Sequence, residues 1–439
     1  MNREQQHASR TIPPTHPLCG KKTYIPRMVQ GSCEAMAAVM RSLGIDAEVM
    51  PPSDAHTLDL AAKHSNGDEC YPLKVTLGDY LRILEQPGFD PRKTAFFLFT
   101  GQGPCRFGQY SNFLKSVLKE RGYPEITVFN PSTEKGYSDF GEASPLFTRG
   151  AWRAIVSADI LLKLLLKSRP HEAVPGAADA VYQDSVAYLS RVLERSYPGP
   201  AEQLEAVRQC LLLARQRFRS LTLQFDPGKP LIGVVGEIFC RLNDFSNSEL
   251  VRRLEDAGAE VWMNDISEWI WYTNADQFRA LKLHRRHISL EAFGAFVRNH
   301  FQHKDEQVLL AMFREDFHGY EEPEHIQVVL DYAEPYLPAS GVNGEMVLNV
   351  GKSVYFARKG IDGVIDISPF TCMNGIVGEA LYPRVSRDNA GIPIRNFYFD
   401  GTQSDLDRDI GIFLELAKSY QRRKPWPRVL PALAKAAST

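Results

Sequence analysis

The chain has 439 residues, 24% of them charged and 44% apolar, with a formal net charge of −2. That length gives ample core for two or three domains, and a nearly neutral chain lacks the basic footprint of a nucleic-acid binder. No run of about 18 apolar residues offers a membrane partner a span: the best candidate, AIVSADILLKLLLK, is broken by Ser157, Asp159 and Lys163.

The first residues, MNREQQHASRTIPPTHP, are polar, lack the apolar stretch of a signal peptide, and are expected to be flexible over 1–20. From Thr23 strands and helices alternate. TYIPRM reads as a strand, CEAMAAVMRSLG as a helix and DAEVMPP as a strand. YPLKVTLGDYLRILEQ is a helix, TAFFLFT a strand, YSNFLKSVLKERG a helix and EITVFNP a strand. This alternation predicts a first α/β domain over 21–150 with a doubly wound parallel sheet. Residues 151–225 carry helical periodicity, punctuated by VPGAA and YPGP, and read as a helical connector. The alternation restarts at Lys229 with KPLIGVVGEIF, NSELVRRLEDAG and AEVWMND. It ends with GVIDIS, IRNFYFDG and the helix DLDRDIGIFLELAKSYQRR. A second, similar α/β domain with helical insertions is expected over 226–422, and a tail over 423–439.

A cytoplasmic, reducing setting is expected, in which seven scattered cysteines do not form a disulfide framework. Four of them share one context. Cys33 and Cys105 each follow a predicted strand and open a helix, as does Cys372; Cys70 directly precedes the helix that begins at Tyr71. Loops at the carboxyl ends of parallel strands line the ligand crevice of such folds. Helix starts offer free N–H groups that favour a thiolate. Gly31, Gly101, Gly103, Gly108 and Gly375 beside these cysteines would let backbone approach a bulky ligand. The pattern suits an iron–sulfur cluster, where three thiolates leave one iron open and four close it. A structural zinc site normally contains a close Cys pair, which is missing, and a buried thiol that only packs is the competing account of any single cysteine. Cys210 and Cys240 are read as packing residues. Arg106 would offset cluster charge, hold an anion or form a salt bridge. Glu237, at the end of GVVGEIF, is a candidate proton donor, a helix cap or the partner of an Arg, and Glu268 is similar. GVNGEMVLNVGKS fails as a phosphate-binding loop because position 346 is Met, and GQGPCRFG fails as a dinucleotide fingerprint because position 106 is Arg.

GDECYPLKVTLGD, GQGPCRFGQY, GVVGEIF, SELVRRLEDAGAEVW, SEWIWYTN, DISPFTCMNGIVGEALYPRVSRD and IRNFYFDGTQSDLDRDIGIFLELA resemble the 2-hydroxyacyl-CoA dehydratase superfamily. They most closely resemble the module in large dehydratase-activase-related proteins, and the resemblance runs from about Thr23 to Arg423. It implies two similar α/β domains with an oxygen-sensitive [4Fe-4S] cluster between them. It further implies a low-potential electron delivered by a separate ATP-binding activase of the actin/Hsp70 type, and radical dehydration of a substrate. Related members carry a double-cubane [8Fe-9S] cluster and reduce small molecules. Partners of the same fold, as a homo- or heterodimer, are implied as well. Cys33, Cys70 and Cys372 match the cysteine order of the dehydratases; Cys70, Cys105 and Cys372 lie in the motifs most typical of the closer relatives. No CoA-pocket signature accompanies them. A cluster-carrying electron-transfer or assembly partner, and a zinc-stabilised or metal-free binding module, are the competing functions.

Overall fold

The computed structural model describes residues 11–430 except 102, 133–136, 340, 342–343 and 403–404. The chain divides into two compact units, Met1–Ala158 with Val186–Cys210 and Asp159–Ser185 with Leu211–Thr439.

In the first unit the elements run β1 (Lys22–Ile25), α1 (Gln30–Ser42), β2 (Asp46–Val49), α2 (Ala55–Ala62), α3 (Tyr71–Leu84), β3 (Thr94–Phe97), α4 (Tyr110–Glu120) and β4 (Thr127–Phe129). Every strand pairing is parallel, in the order β2-β1-β3-β4. The central strand TAFF is buried throughout, as expected when helices cover both faces of a parallel sheet. Tyr24, Leu77, Tyr80, Leu81, Phe96 and Leu114 form its core. Helices α2 and α3 cross at Gly78, where an added Cβ would stand 1.9 Å from the Thr57 carbonyl oxygen. Gly78→Ala should therefore cost roughly 1–3 kcal/mol, through forced separation of the two helices. A urea midpoint unchanged in that variant would refute the account. The segment 11–20 is packed where the sequence suggested flexibility: Leu18 is fully buried and the His16 ring lies against Phe129 and Phe140. Residues 1–10 fall outside the described residues.

Three helices follow: α5 (Ser144–Ser168), α6 (Ala177–Leu193) and α7 (Pro200–Arg219). The sequence assigned them to a connector, but the chain passes between the units within each of them.

The second unit continues with β5 (Leu231–Gly236), α8 (Ile238–Leu242), α9 (Leu250–Asp256), β6 (Glu260–Met263), α10 (Ile266–Leu283), α11 (Leu290–Leu310), α12 (Ile326–Ala333), α13 (Glu345–Arg358), β7 (Gly363–Pro369), α14 (Met373–Asp388), β8 (Ile394–Phe399) and α15 (Leu406–Gln421). Its sheet is again parallel throughout, ordered β6-β5-β7-β8. Numbered within its own unit, each sheet has the order second, first, third, fourth. The fold is thus α/β with two similar parallel-sheet domains. Part of the expected tail is anchored: Arg428 donates to Glu260 at 2.5 Å and is almost fully buried.

Candidate functional site

In a sheet of this order the chain leaves the first and third strands toward opposite edges. The gap between those two strands at their carboxyl ends is where such folds bind ligands. In the first unit β1 and β3 flank that gap. Cys105 lies beyond β3 and is exposed. It is the residue before a short 3-10 turn, Arg106–Gln109, that leads into α4. Cys70 is the residue before α3 and is buried. Two side-chain hydrogen bonds bring the two loops together. The Cys70 Sγ and the Tyr110 Oη are 2.8 Å apart, and Arg106 Nη1 donates to the Asp68 carbonyl at 2.8 Å. Leu98 and Phe107 complete the small apolar cluster around the thiol. Arg106 thus ties the GDEC loop to the GPCR loop.

Cys33 is placed differently. It does not open its helix but sits one turn inside α1, whose first residue is Gln30. Its sulfur accepts from the Met28 N–H at 3.2 Å and faces the Pro26 carbonyl at 3.5 Å. Burial pushes the thiol up to about 11 despite the Met28 donor. The thiol is thus buried and engaged by local backbone, a setting typical of a packing cysteine.

In the second unit the equivalent gap lies between β5 and β7. Cys372 follows β7 and is the residue before α14, matching Cys105 in topology. Their backbones match as well: φ −68° and ψ 133° at Cys105, φ −69° and ψ 123° at Cys372, with Cys70 at −60° and 136°. None of the three side chains caps its own helix. Thr371, just before Cys372, holds φ at 64°, a costly left-handed conformation for a β-branched residue. Phe370, Met373 and Ile376 form an exposed apolar rim around the loop. Gly375 serves the fold's own packing, since a Cβ there would meet Ser368 Oγ at 2.5 Å.

Three chain segments converge at this end of the second sheet. Glu237 follows β5 and caps α8, its carboxylate accepting from the Phe239 and Cys240 N–H groups at 3.1 and 2.7 Å. Of the roles foreseen for Glu237, the cap is the one its hydrogen bonds display, and the Arg241 charge acts on it as well. Glu345, the first residue of α13, accepts from the Ile238 N–H at 2.8 Å. The neighbouring Met346 N–H reaches Asn374 Oδ1, two residues past Cys372, at 3.4 Å. Burial, reinforced by repulsion from Glu237, raises the Glu345 carboxyl to about 8. Burial also raises Asp366 of β7, which accepts from Ser368 at 2.6 Å and from Tyr382. Arg241 lies among Glu345, Glu268, Asp159 and Glu237, and its Nε and Nη1 meet no hydrogen-bond partner among the described residues.

Behind this edge lies a buried ion network that the sequence reading did not foresee. Lys352 is fully buried and bridges Glu268, at 2.6 Å, to Glu322; Lys163 joins Glu322 and, at 3.4 Å, Asp265. Asp159 caps α10 by accepting from the Ile266 and Ser267 N–H groups. Glu268, singled out as a possible proton donor, is therefore an ion-pair partner of Lys352. Cys240 is fully buried and Cys210 nearly so, as packing residues should be. His284 and His287 are exposed on a solvated face.

Among the described residues, no group of three or more His, Cys, Asp and Glu side chains is arranged to hold a metal ion. None of the helices is long and apolar enough to cross a membrane, among the described residues. No protein-family model matches the chain, and no curated protein matches it.

Proposed function

We propose that this chain is an iron–sulfur protein of the 2-hydroxyacyl-CoA dehydratase type. In this reading it accepts a low-potential electron from a separate ATP-dependent activase of the actin/Hsp70 type, for radical dehydration or reduction of a substrate. The observation that carries the reading is the equivalence of Cys105 and Cys372. Each stands after the third strand of its own sheet, directly before a helix, with nearly the same backbone conformation. Cys70 shares that conformation, and its loop is tied to that of Cys105. The donor type supports it: Cys70 and Cys372 each precede an α-helix and Cys105 a 3-10 turn, and thiolates are the usual ligands of such clusters. Cys33 fits least, because its thiol is already satisfied by local backbone. The cluster, [4Fe-4S] or a double-cubane [8Fe-9S], would supply one-electron chemistry. The candidate thiolate ligands are Cys70 and Cys105 in the first unit and Cys372 in the second. Tyr110 would orient the Cys70 sulfur. Glu345, kept largely protonated at neutral pH, would hold a proton close to the Cys372 loop.

The test is anaerobic purification followed by iron, acid-labile sulfide and zinc analysis. About four irons and four sulfides per chain are expected for a single cubane, or about eight irons for the double-cubane form. In Cys70→Ala and Cys372→Ala the iron content should collapse while the thermal unfolding midpoint stays near that of the parent. Zinc alone, or no metal in folded anaerobic protein, would remove the redox reading and leave a binding module.

A further inference from the structure

Helices α10 and α11 of the second unit join in a well-defined turn. Arg285 takes the left-handed conformation, with φ 57°, and the Arg286 N–H returns to the Leu281 carbonyl at 2.7 Å, which closes α10. Ser289 then opens α11, its hydroxyl accepting from the Ala292 N–H at 3.1 Å. Every residue of the turn from Lys282 to Ile288 is exposed. Two are large and apolar, Leu283 at 79% and Ile288 at 90%, and three are the cations Lys282, Arg285 and Arg286. The apolar groups continue along the outward side of α11, with Leu290 at 91%, Phe293 at 66% and Phe296 at 61%. At 100° per residue these three share one side of the helix with the exposed His300 and Lys304, opposite the buried Ala295 and Gln302. The seam facing α10 is polar instead: Asn274 Nδ2 donates to Gln302 Oε1 at 2.9 Å and Trp271 Nε1 to Glu306 at 3.1 Å. A surface helix normally turns its Leu and Phe stripe inward, so this one presents a face made to be covered.

We infer that this turn and the adjoining face of α11 rest on an anionic lipid bilayer, the apolar side chains at the boundary of headgroups and acyl chains and the cations at the phosphates. Charge argues for it. From Lys282 to Lys304 the sequence carries five Lys and Arg and a single acid, Glu291, in a chain whose net charge is −2. That acid is taken up by Arg286 at 2.8 Å. The like charge that would hold two such faces apart is what a layer of acidic headgroups attracts. The order of residues agrees. Lys282 adjoins Leu283, and Arg286 stands two residues before Ile288. Segments that lie in a membrane interface mix the two types in this way, their cations reaching the headgroups while the Leu and Phe bodies sink below. Exposure points to a fluid partner. Leu283, Ile288 and Leu290 are each at least 79% exposed and stand out singly. A folded protein would need a fitted pocket for each, whereas acyl chains adapt to any protrusion. The contact lies on a bilayer and does not cross it, since no helix among the described residues is long and apolar enough to do so. The inference stands independently of the cluster, because none of the proposed thiols lies on the hairpin.

Co-sedimentation of the full chain with lipid vesicles tests this. The parent is expected to bind vesicles of equal parts phosphatidylglycerol and phosphatidylcholine. Binding to phosphatidylcholine alone should be roughly 100-fold weaker, because the three cations of the turn lose their counter-charges. Lys282→Gln combined with Arg285→Gln should weaken binding to the mixed vesicles about 30-fold, a factor of about five for each cation. Ile288→Ser combined with Phe293→Ser should weaken it about 100-fold through lost apolar burial. Both variants should melt like the parent, since all four side chains are exposed. A parent that does not bind the mixed vesicles, or that binds both lipids equally, overturns the inference. So does an apolar variant that binds as tightly as the parent, which would reduce the contact to adsorption by charge. A parent that ignores the vesicles but binds polyglutamate overturns it too, and would assign the face to an acidic polypeptide.

Discussion

Lys352→Met is expected to destabilise the second unit by roughly 3–5 kcal/mol, the usual effect of removing one partner of a buried ion pair. Lys352 is fully buried and is the shared cation of Glu268 and Glu322. Burial alone would favour the neutral amine, but these two carboxylates together with Asp265 outweigh it and raise its pKa above the ordinary lysine value. A lysine whose folded pKa is raised contributes stability that is fully present below its unfolded value. That contribution is lost as pH rises through the folded value. The parent should therefore keep the contribution at all neutral pH values. In Lys352→Met two acids remain under the same cover, with Lys163 the nearest cation for Glu322. Adding Glu268→Gln should recover part of the loss, because the stranded charge is then removed. The readout is a urea titration of the full chain followed by fluorescence, with Trp262 and Trp269 reporting on the second unit. A single-variant loss below about 1 kcal/mol would show that the network contributes little.

The alternation of strands and helices was legible because parallel strands covered on both faces must be continuous apolar runs. LIGVVG is such a run and GVIDIS is one interrupted only by Asp366 and Ser368, and both are buried throughout. Cys70, Cys105 and Cys372 were legible as helix-start residues because Gly and Pro punctuate the loops before them. Three things were not. Helix α13 was obscured by GVNGEMVLNVGKS, which drew attention as a failed phosphate loop. Its fully buried Lys352 breaks the apolar pattern by which a buried helix is recognised. The ion network joins residues from 159 to 352, and no local pattern reports a pairing over such separation. The distinction between ligand and packing for Cys33 depended on one turn of helix. Moving the residue from the helix start into the first turn hands its sulfur to the Met28 N–H. The carboxyl of interest also shifted from Glu237 to Glu345. Both stand at helix starts, but Glu237 accepts two backbone N–H bonds and Glu345 accepts one.

Glu345 gives the second large effect, and it is a pH effect. Its carboxyl is raised from the ordinary glutamate value to about 8, first by burial and then by Glu237. Between those two values the folded protein holds a proton that the unfolded chain releases. The stability this contributes is complete below about pH 4.5, declines as pH rises, and is lost once pH passes about 8. The full span corresponds to roughly 3–5 kcal/mol. Glu345→Gln keeps the oxygen that accepts from the Ile238 N–H and removes the titration. The variant should match the parent near pH 5 and exceed it in stability at pH 9. Asp79 and Asp159, raised to about 6, and Glu255 and Glu306, raised to about 7, titrate in the same window in both proteins, so the Glu345 contribution is the difference between the two profiles, not the slope of either. Urea midpoints at pH 5, 7 and 9 measure it. Parallel pH profiles in the two proteins would show that Glu345 is ionised at neutral pH. It would then be unable to hold the proton assigned to it beside the Cys372 loop. A steeper fall in the parent than in Glu345→Gln would mark Glu345 as a protonated carboxyl at the β5–β7 edge.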